Sequence, residues 1–176
     1  MDPLVLDASP LNHFARAGEL AVLRDLLVEF RSVTTKAVLA ELRRGATVFP
    51  SLLDAVVLPW VETVPCDDLE ELYLFGQYMN RLGNLQRNAG EASVLAWAEV
   101  HSAAAYLDDQ VACNVGRARG VTVHRTLRLV INGYRSGLLS EARAQALIDG
   151  LADTDARFPS EAKQVTRPRA DLNAGV

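Results

Sequence analysis

A basic surplus is missing from this chain: 18 Lys and Arg stand against 22 Asp and Glu, a formal charge of −4 at pH 7. A protein that binds nucleic acid by charge alone carries the opposite balance, because neutralised phosphates release counterions. The deficit still permits an acidic site for a divalent cation, since a bound cation reverses the sign of a pocket built from carboxylates. Cysteine is scarce as well. Cys66 and Cys113 fit neither a disulfide framework nor a spaced metal motif, and both read as small buried side chains. No apolar run approaches the ~20 residues of a bilayer-spanning helix, so no membrane partner is expected. The start "MDPLVLD" has neither the basic head nor the long apolar stretch of an export signal, which makes the cytoplasm the expected location. A Gly-rich phosphate loop and a nucleophile motif are also lacking, which argues against a nucleotide-binding protein or an α/β phosphatase. His13, His101 and His124 have no ligand spacing and receive no catalytic role.

What the 176 residues do contain is an alternation of strand and helix patterns. "LVLD" (4–7) reads as a strand, with Ser9 as the expected N-cap and Pro10 in the first turn of the next helix. "ELAVLRDLLVEF" reads as a second helix and "RSVTT" as a strand, after which Thr34 or Thr35 caps "KAVLAELRRG". Residues 46–66, broken by Pro50, Pro59 and Pro65, read as irregular. "DDLEELYLFGQYMNRLG" is a helix with acids at its start, "NLQRNAG" a polar loop, and helix 91–101, strand 103–107, helix 109–118 and strand 121–123 follow. Two further helices, "RTLRLVINGYRSG" and "SEARAQALIDGLAD", complete one domain over residues 1–158, and the polar stretch 159–176 is expected to be a mobile or partner-binding tail. Such alternation predicts an α/β fold with a parallel sheet covered by helices.

In such a sheet the strand C-termini share one edge, where α/β folds place ligands. Asp7 ends the first strand and Asp108 the strand "AAAYL", while Glu41 and Glu91 lie on helices from which side chains can reach that edge. Each acid also has a modest explanation. Asp7 and Asp109 can cap helices, Glu91 suits a helix N-terminus, and Glu41 can be solvated beside Arg44. Spacing alone leaves the two readings level.

"LVLDASPLNHFARAGELAVLRDL", "TTKAVLAELRRG", "AGEASVLAWA" and "AYLDDQVACNVGRARG", in that order, resemble the successive acidic motifs of the PIN domain family, most closely its VapC-like toxin branch. The resemblance implies a three-layer α/β/α fold with a central parallel sheet of about four or five strands, and Mg²⁺- or Mn²⁺-dependent cleavage of RNA. It assigns Asp7, Glu41, Glu91 and Asp108 as catalytic acids, with Asp7, Glu91 and Asp108 as the metal ligands, and Ser9 and Asp109 as supporting residues. It further implies a cognate antitoxin and a homodimer. Two departures bear on substrate contacts: Cys113 stands where an Arg is usual, and "VHRTLR" replaces the usual glycine before Thr126. They leave a catalytically silent RNA- or protein-binding module as the competing reading.

The chemistry explains the residue types. Hard carboxylate oxygens suit Mg²⁺ and Mn²⁺, and Mg²⁺ keeps several waters, so a few acids suffice without His or Cys. Two like charges about 5 Å apart at an effective dielectric near 20 repel by roughly 3 kcal/mol, so without metal at least one carboxyl should keep its proton. Phosphate contacts would come from Arg43, Arg44, Arg117 and Arg119, which follow the acids on their helices, with Arg81, Arg87, Arg125 and Arg128 in reserve.

Overall fold

The computed structural model describes residues 2–83 and 85–154, and only the backbone of residues 85 and 86. The expected domain end near residue 158 and the tail 159–176 lie outside the described residues. Five strands form one sheet in the order β3-β2-β1-β4-β5, every pair parallel: β1 (Pro3–Leu6), β2 (Arg31–Thr35), β3 (Glu62–Val64), β4 (Ala104–Tyr106) and β5 (Val123–His124). Leu4, Val5 and Leu6 of the central strand are all buried, as expected of a parallel strand covered on both faces. The helices are α1 (Ala8–Arg16), α2 (Leu20–Leu26), α3 (Lys36–Gly45), α4 (Leu52–Val56), α5 (Leu69–Leu82), α6 (Leu85–Val100), α7 (Gln110–Ala118), α8 (Thr126–Arg135) and α9 (Glu141–Ala152). The crossovers β1-α1-α2-β2 and β4-α7-β5 run in opposite directions along the sheet, and right-handed connections therefore put α1 and α7 on opposite faces. α6 packs across β1, β2 and β4, with α5 and α7 against it, while α1 packs on β1 with α2, α4 and α9 nearby. This is the helix-covered parallel sheet that the alternation predicts. No helix among the described residues is long and apolar enough to cross a membrane.

Three expectations need correction. Residues 46–66 are not irregular throughout: they contain α4 and the edge strand β3, and Pro50, Pro59 and Pro65 fall in the connections, where no ladder N–H is lost. Residues 85–90 of "NLQRNAG" are not a loop, since α6 is helical from residue 85 and Glu91 sits inside it. Here tertiary contacts override weak propensity, because the Asn88 amide donates to the carbonyls of Leu82 and Gly83 at the end of α5. Finally, the N-cap of α1 is Asp7, whose side chain accepts from the Ser9 amide, so Ser9 lies within the helix. Thr35 caps α3 and Asp109 caps α7, each through its side chain.

α8 crosses α2 at Gly133, where an added methyl would stand 2.2 Å from Leu26 Cδ2 and 3.2 Å from Leu139 Cδ1. Gly133→Ala should therefore lower unfolding free energy by about 1–3 kcal/mol, read as a lower denaturant midpoint with unchanged slope.

Candidate active site

The chain leaves β1 toward β2 and leaves β4 toward β5, so the sheet reverses its winding between β1 and β4. At such a switch point the flanking loops part and leave a crevice. Asp7 stands directly on it. Its backbone N–H donates to the Tyr106 carbonyl at 3.0 Å, which pins it at the end of both central strands. The side chain is 2% exposed. Oδ2 accepts from the Ser9 hydroxyl at 3.1 Å and more weakly from the Ser9 amide at 3.4 Å, whereas Oδ1 is buried with no protein partner.

Glu41 and Glu91 arrive from α3 and α6. Helical side chains lean toward the helix N-terminus, which carries Glu41 back toward the strand ends. A methyl built at Gly90 would lie 2.8 Å from Glu41 Oε2, 3.5 Å from Asp7 Oδ1 and 3.6 Å from Val38 Cγ2. The two carboxylate oxygens are thus no further apart than the sum of the first two distances, and a side chain at position 90 would have to push Glu41 Oε2 aside. Glu91 is the next residue, and its Oε2 is also buried without a partner. Gly90 was not singled out by sequence reasoning, although it stands in the "AGEAS" motif. Its signal was the small residue before the acid.

The paired acids after β4 separate in role. Asp108 Oδ1 accepts from the Thr126 amide at 2.9 Å and Oδ2 from the Thr126 hydroxyl at 2.6 Å, with His13 Nε2 3.8 Å from Oδ2. It thereby caps α8, whose own N-cap residue Arg125 makes no side-chain cap. Asp109 accepts from the Ala112 amide at 2.8 Å, and its charge acts on Glu91. The structure thus brings Asp7, Glu41 and Glu91 together with Asp109 in electrostatic range, and directs Asp108 to Thr126.

Electrostatics follow from this crowding. Burial is the main reason the Asp7 carboxyl lies well above the ordinary range; the charges of Glu91 and Glu41 add to it, and the amides of Ala8 and Ser9 oppose it. Glu91 is pushed up to about 7, first by burial, then by Glu41 and Asp109 against the pull of its own backbone N–H. Glu41 is raised by burial and lowered by Arg44. Among the described residues no three acid, His or Cys side chains close into a tight metal cage. The chemistry of the set nevertheless fits a hard cation that keeps part of its water shell, because two carboxyl oxygens, Asp7 Oδ1 and Glu91 Oε2, are buried and lack partners.

The arginines divide by position along their helices. Arg119 makes a two-pronged ion pair with Glu99 at 2.7 and 2.8 Å, and its third contact is Gln77. It caps the far end of α7 from Asp109, about 13 Å of helix away, and joins α5, α6 and α7 instead of lining the crevice. Arg117, in the last turn of α7, donates to the Val123 carbonyl. Arg43 and Arg44 occupy the exposed last turn of α3. Arg125 and Arg128, at the start of α8, stand nearer the strand ends.

A family model for the PIN domain matches residues 3–171. No curated protein and no solved structure matches the chain.

Glu91 titrates from an ordinary 4.5 when unfolded to about 7 when folded, so the folded metal-free state binds the extra proton. Its stabilising contribution is complete below about 4.5 and is lost as pH rises through about 7. In EDTA the melting temperature should accordingly fall between those limits. Asp7→Asn, which keeps the cap acceptor and removes a buried titrating carboxyl, should flatten that fall and leave the neutral-pH fold at least as stable.

Proposed function

Since the chain belongs to the PIN domain family, a family of nuclease type, we propose that it is a divalent-metal-dependent endoribonuclease, the toxin of a toxin-antitoxin pair. The observation that carries this reading is the pair of partnerless buried oxygens, Asp7 Oδ1 and Glu91 Oε2, at the switch point of the sheet. Bound there, Mg²⁺ or Mn²⁺ would supply an activated water and relieve negative charge on the phosphorus. Asp7 and Glu91 would hold the ion through those two oxygens. Glu41, whose Oε2 faces Gly90, would orient the attacking water. Asp109 adds the fourth negative charge beside Glu91. Asp108 has lone pairs to spare beyond its Thr126 contacts and would support the ion's water shell. Ser9 fixes the Asp7 rotamer by donating to Oδ2.

Substrate phosphates meet positive charge from Arg44, which acts on Glu41, and from Arg125 and Arg128 at the mouth of α8. Arg43 extends this strip, and Arg117 serves mainly to tie α7 to β5. The protein's acidic balance suits a toxin whose antitoxin brings the basic groups. α5 presents exposed Leu69, Leu72 and Tyr73 at helical spacing, with Gly76 open beyond them, an apolar face of the kind a homodimer buries. The competing reading, a silent binding module, draws on the departure at Cys113 and on the lack of a tight cage among the described residues.

The purified protein should cleave RNA with Mn²⁺ or Mg²⁺ and arrest growth when expressed, and Asp7→Asn should lose both while staying folded. Mn²⁺ should raise the wild-type melting temperature and leave that of Asp7→Asn almost unmoved. Metal uptake without cleavage would favour the silent module. Light scattering should give the mass of a dimer, and Leu72→Glu should return the chain to a monomer; a wild-type monomer would remove the dimer from the proposal.

A further inference from the structure

Thr35 is fully buried at the junction of β2 and α3, and Ser93 is 3% exposed inside α6. Their hydroxyl oxygens lie 2.7 Å apart. Thr35 Oγ1 also accepts from the Val38 amide at 3.2 Å, and Ser93 Oγ donates to the Gly90 carbonyl at 2.7 Å. Each hydroxyl has one proton. The proton of Ser93 goes to a carbonyl that can only accept, so Thr35 must give its proton to Ser93, and the Val38 N–H completes the chain. The relay therefore runs in one direction, from the first turn of α3 to the carbonyl that precedes Glu91.

We infer that Thr35 and Ser93 are positioning residues: their relay holds α3 against α6 and so sets the separation of Glu41 from Glu91 and Asp7. This rests on the metal-site reading given above. Among the described residues, the Thr35–Ser93 contact is the side-chain hydrogen bond that ties the start of α3 to α6, against the mutual repulsion of the carboxylates that the two helices carry. At Gly90 this seam meets the acids directly, because a methyl there would lie 2.8 Å from Glu41 Oε2 and within ordinary contact of Asp7 Oδ1 and Val38 Cγ2. A hydroxyl chain buried this deeply also has few ways to rearrange. Both partners are short side chains with little slack, and either loss leaves a buried polar group unpaired.

The test uses the full-length protein and Mn²⁺ as the probe. Ser93→Ala should weaken Mn²⁺ binding by calorimetry on the order of tenfold, as losses of supporting hydrogen bonds around metal ligands do. Thr35→Ser, which keeps the hydroxyl, should bind like the wild type. Gly133→Ala serves as the control for a merely less stable chain and should bind Mn²⁺ normally. A second readout needs no metal. In EDTA, Glu41→Gln should raise the melting temperature more in the wild type than in Ser93→Ala, because helices freed from the relay have already relaxed the repulsion. Equal gains in the two backgrounds, or Mn²⁺ affinity unchanged in Ser93→Ala, would overturn the inference. Failure of the wild type to bind Mn²⁺ would defeat the metal reading instead, and the EDTA comparison would still decide the relay.

Discussion

Carboxylates kept out of water beside one another repel, and at the switch point of this sheet Asp7, Glu41 and Glu91 are held in that condition by three separate segments of chain. Asp7 is fixed by the backbone bond to Tyr106 and by Ser9. Glu41 comes from a helix whose cap, Thr35, is also the last residue of a central strand. Glu91 comes from α6, which lies across β1, β2 and β4 and so cannot shift without disturbing the core. The raised carboxyls are the thermodynamic trace of this arrangement: the folded chain keeps protons that the unfolded chain would release at neutral pH. A site that costs stability when empty is one that a cation can repay.

Helix capping and site building share the same residues here. Asp7, Asp108 and Asp109 each satisfy amides at a helix start, on α1, α8 and α7 respectively. In a parallel α/β sheet, the end of a strand and the start of the following helix are a few atoms apart, so an acid that caps one also faces the crevice. The cap reading and the site reading of Asp7 are therefore compatible: Oδ2 serves the helix and Oδ1 is left for the crevice. For Asp108 both oxygens are taken by Thr126, and its neighbour Asp109 is the one whose charge is felt at Glu91.

Much of the fold was legible along the chain. Apolar runs and helical periodicity gave β1, α3, α5, α7, α8 and α9, with cap residues marking the starts of α3 and α7, because those elements bury a face that the pattern writes directly. The proline-rich stretch hid β3, a three-residue edge strand with two exposed positions and little pattern to write. The first turns of α6 were hidden as well, since Asn88, Ala89 and Gly90 have a loop-like composition and become helical only by packing on α3 and on the end of α5.

The acids themselves, their order and their residue types were fixed by sequence, and so was the α/β class, because patterning and capping are local properties. Tertiary structure alone decided which acids meet. Asp108 and Asp109 are adjacent in sequence and nearly alike in chemistry, yet one turns to Thr126 and the other caps α7 while its charge is felt at Glu91. Arg119, spaced on its helix like a phosphate contact, was claimed instead by Glu99 from α6. The physical reason is that a side chain's partner depends on distances across the fold. Those distances are set by helix packing at points such as Gly90 and Ser93, which local pattern does not encode.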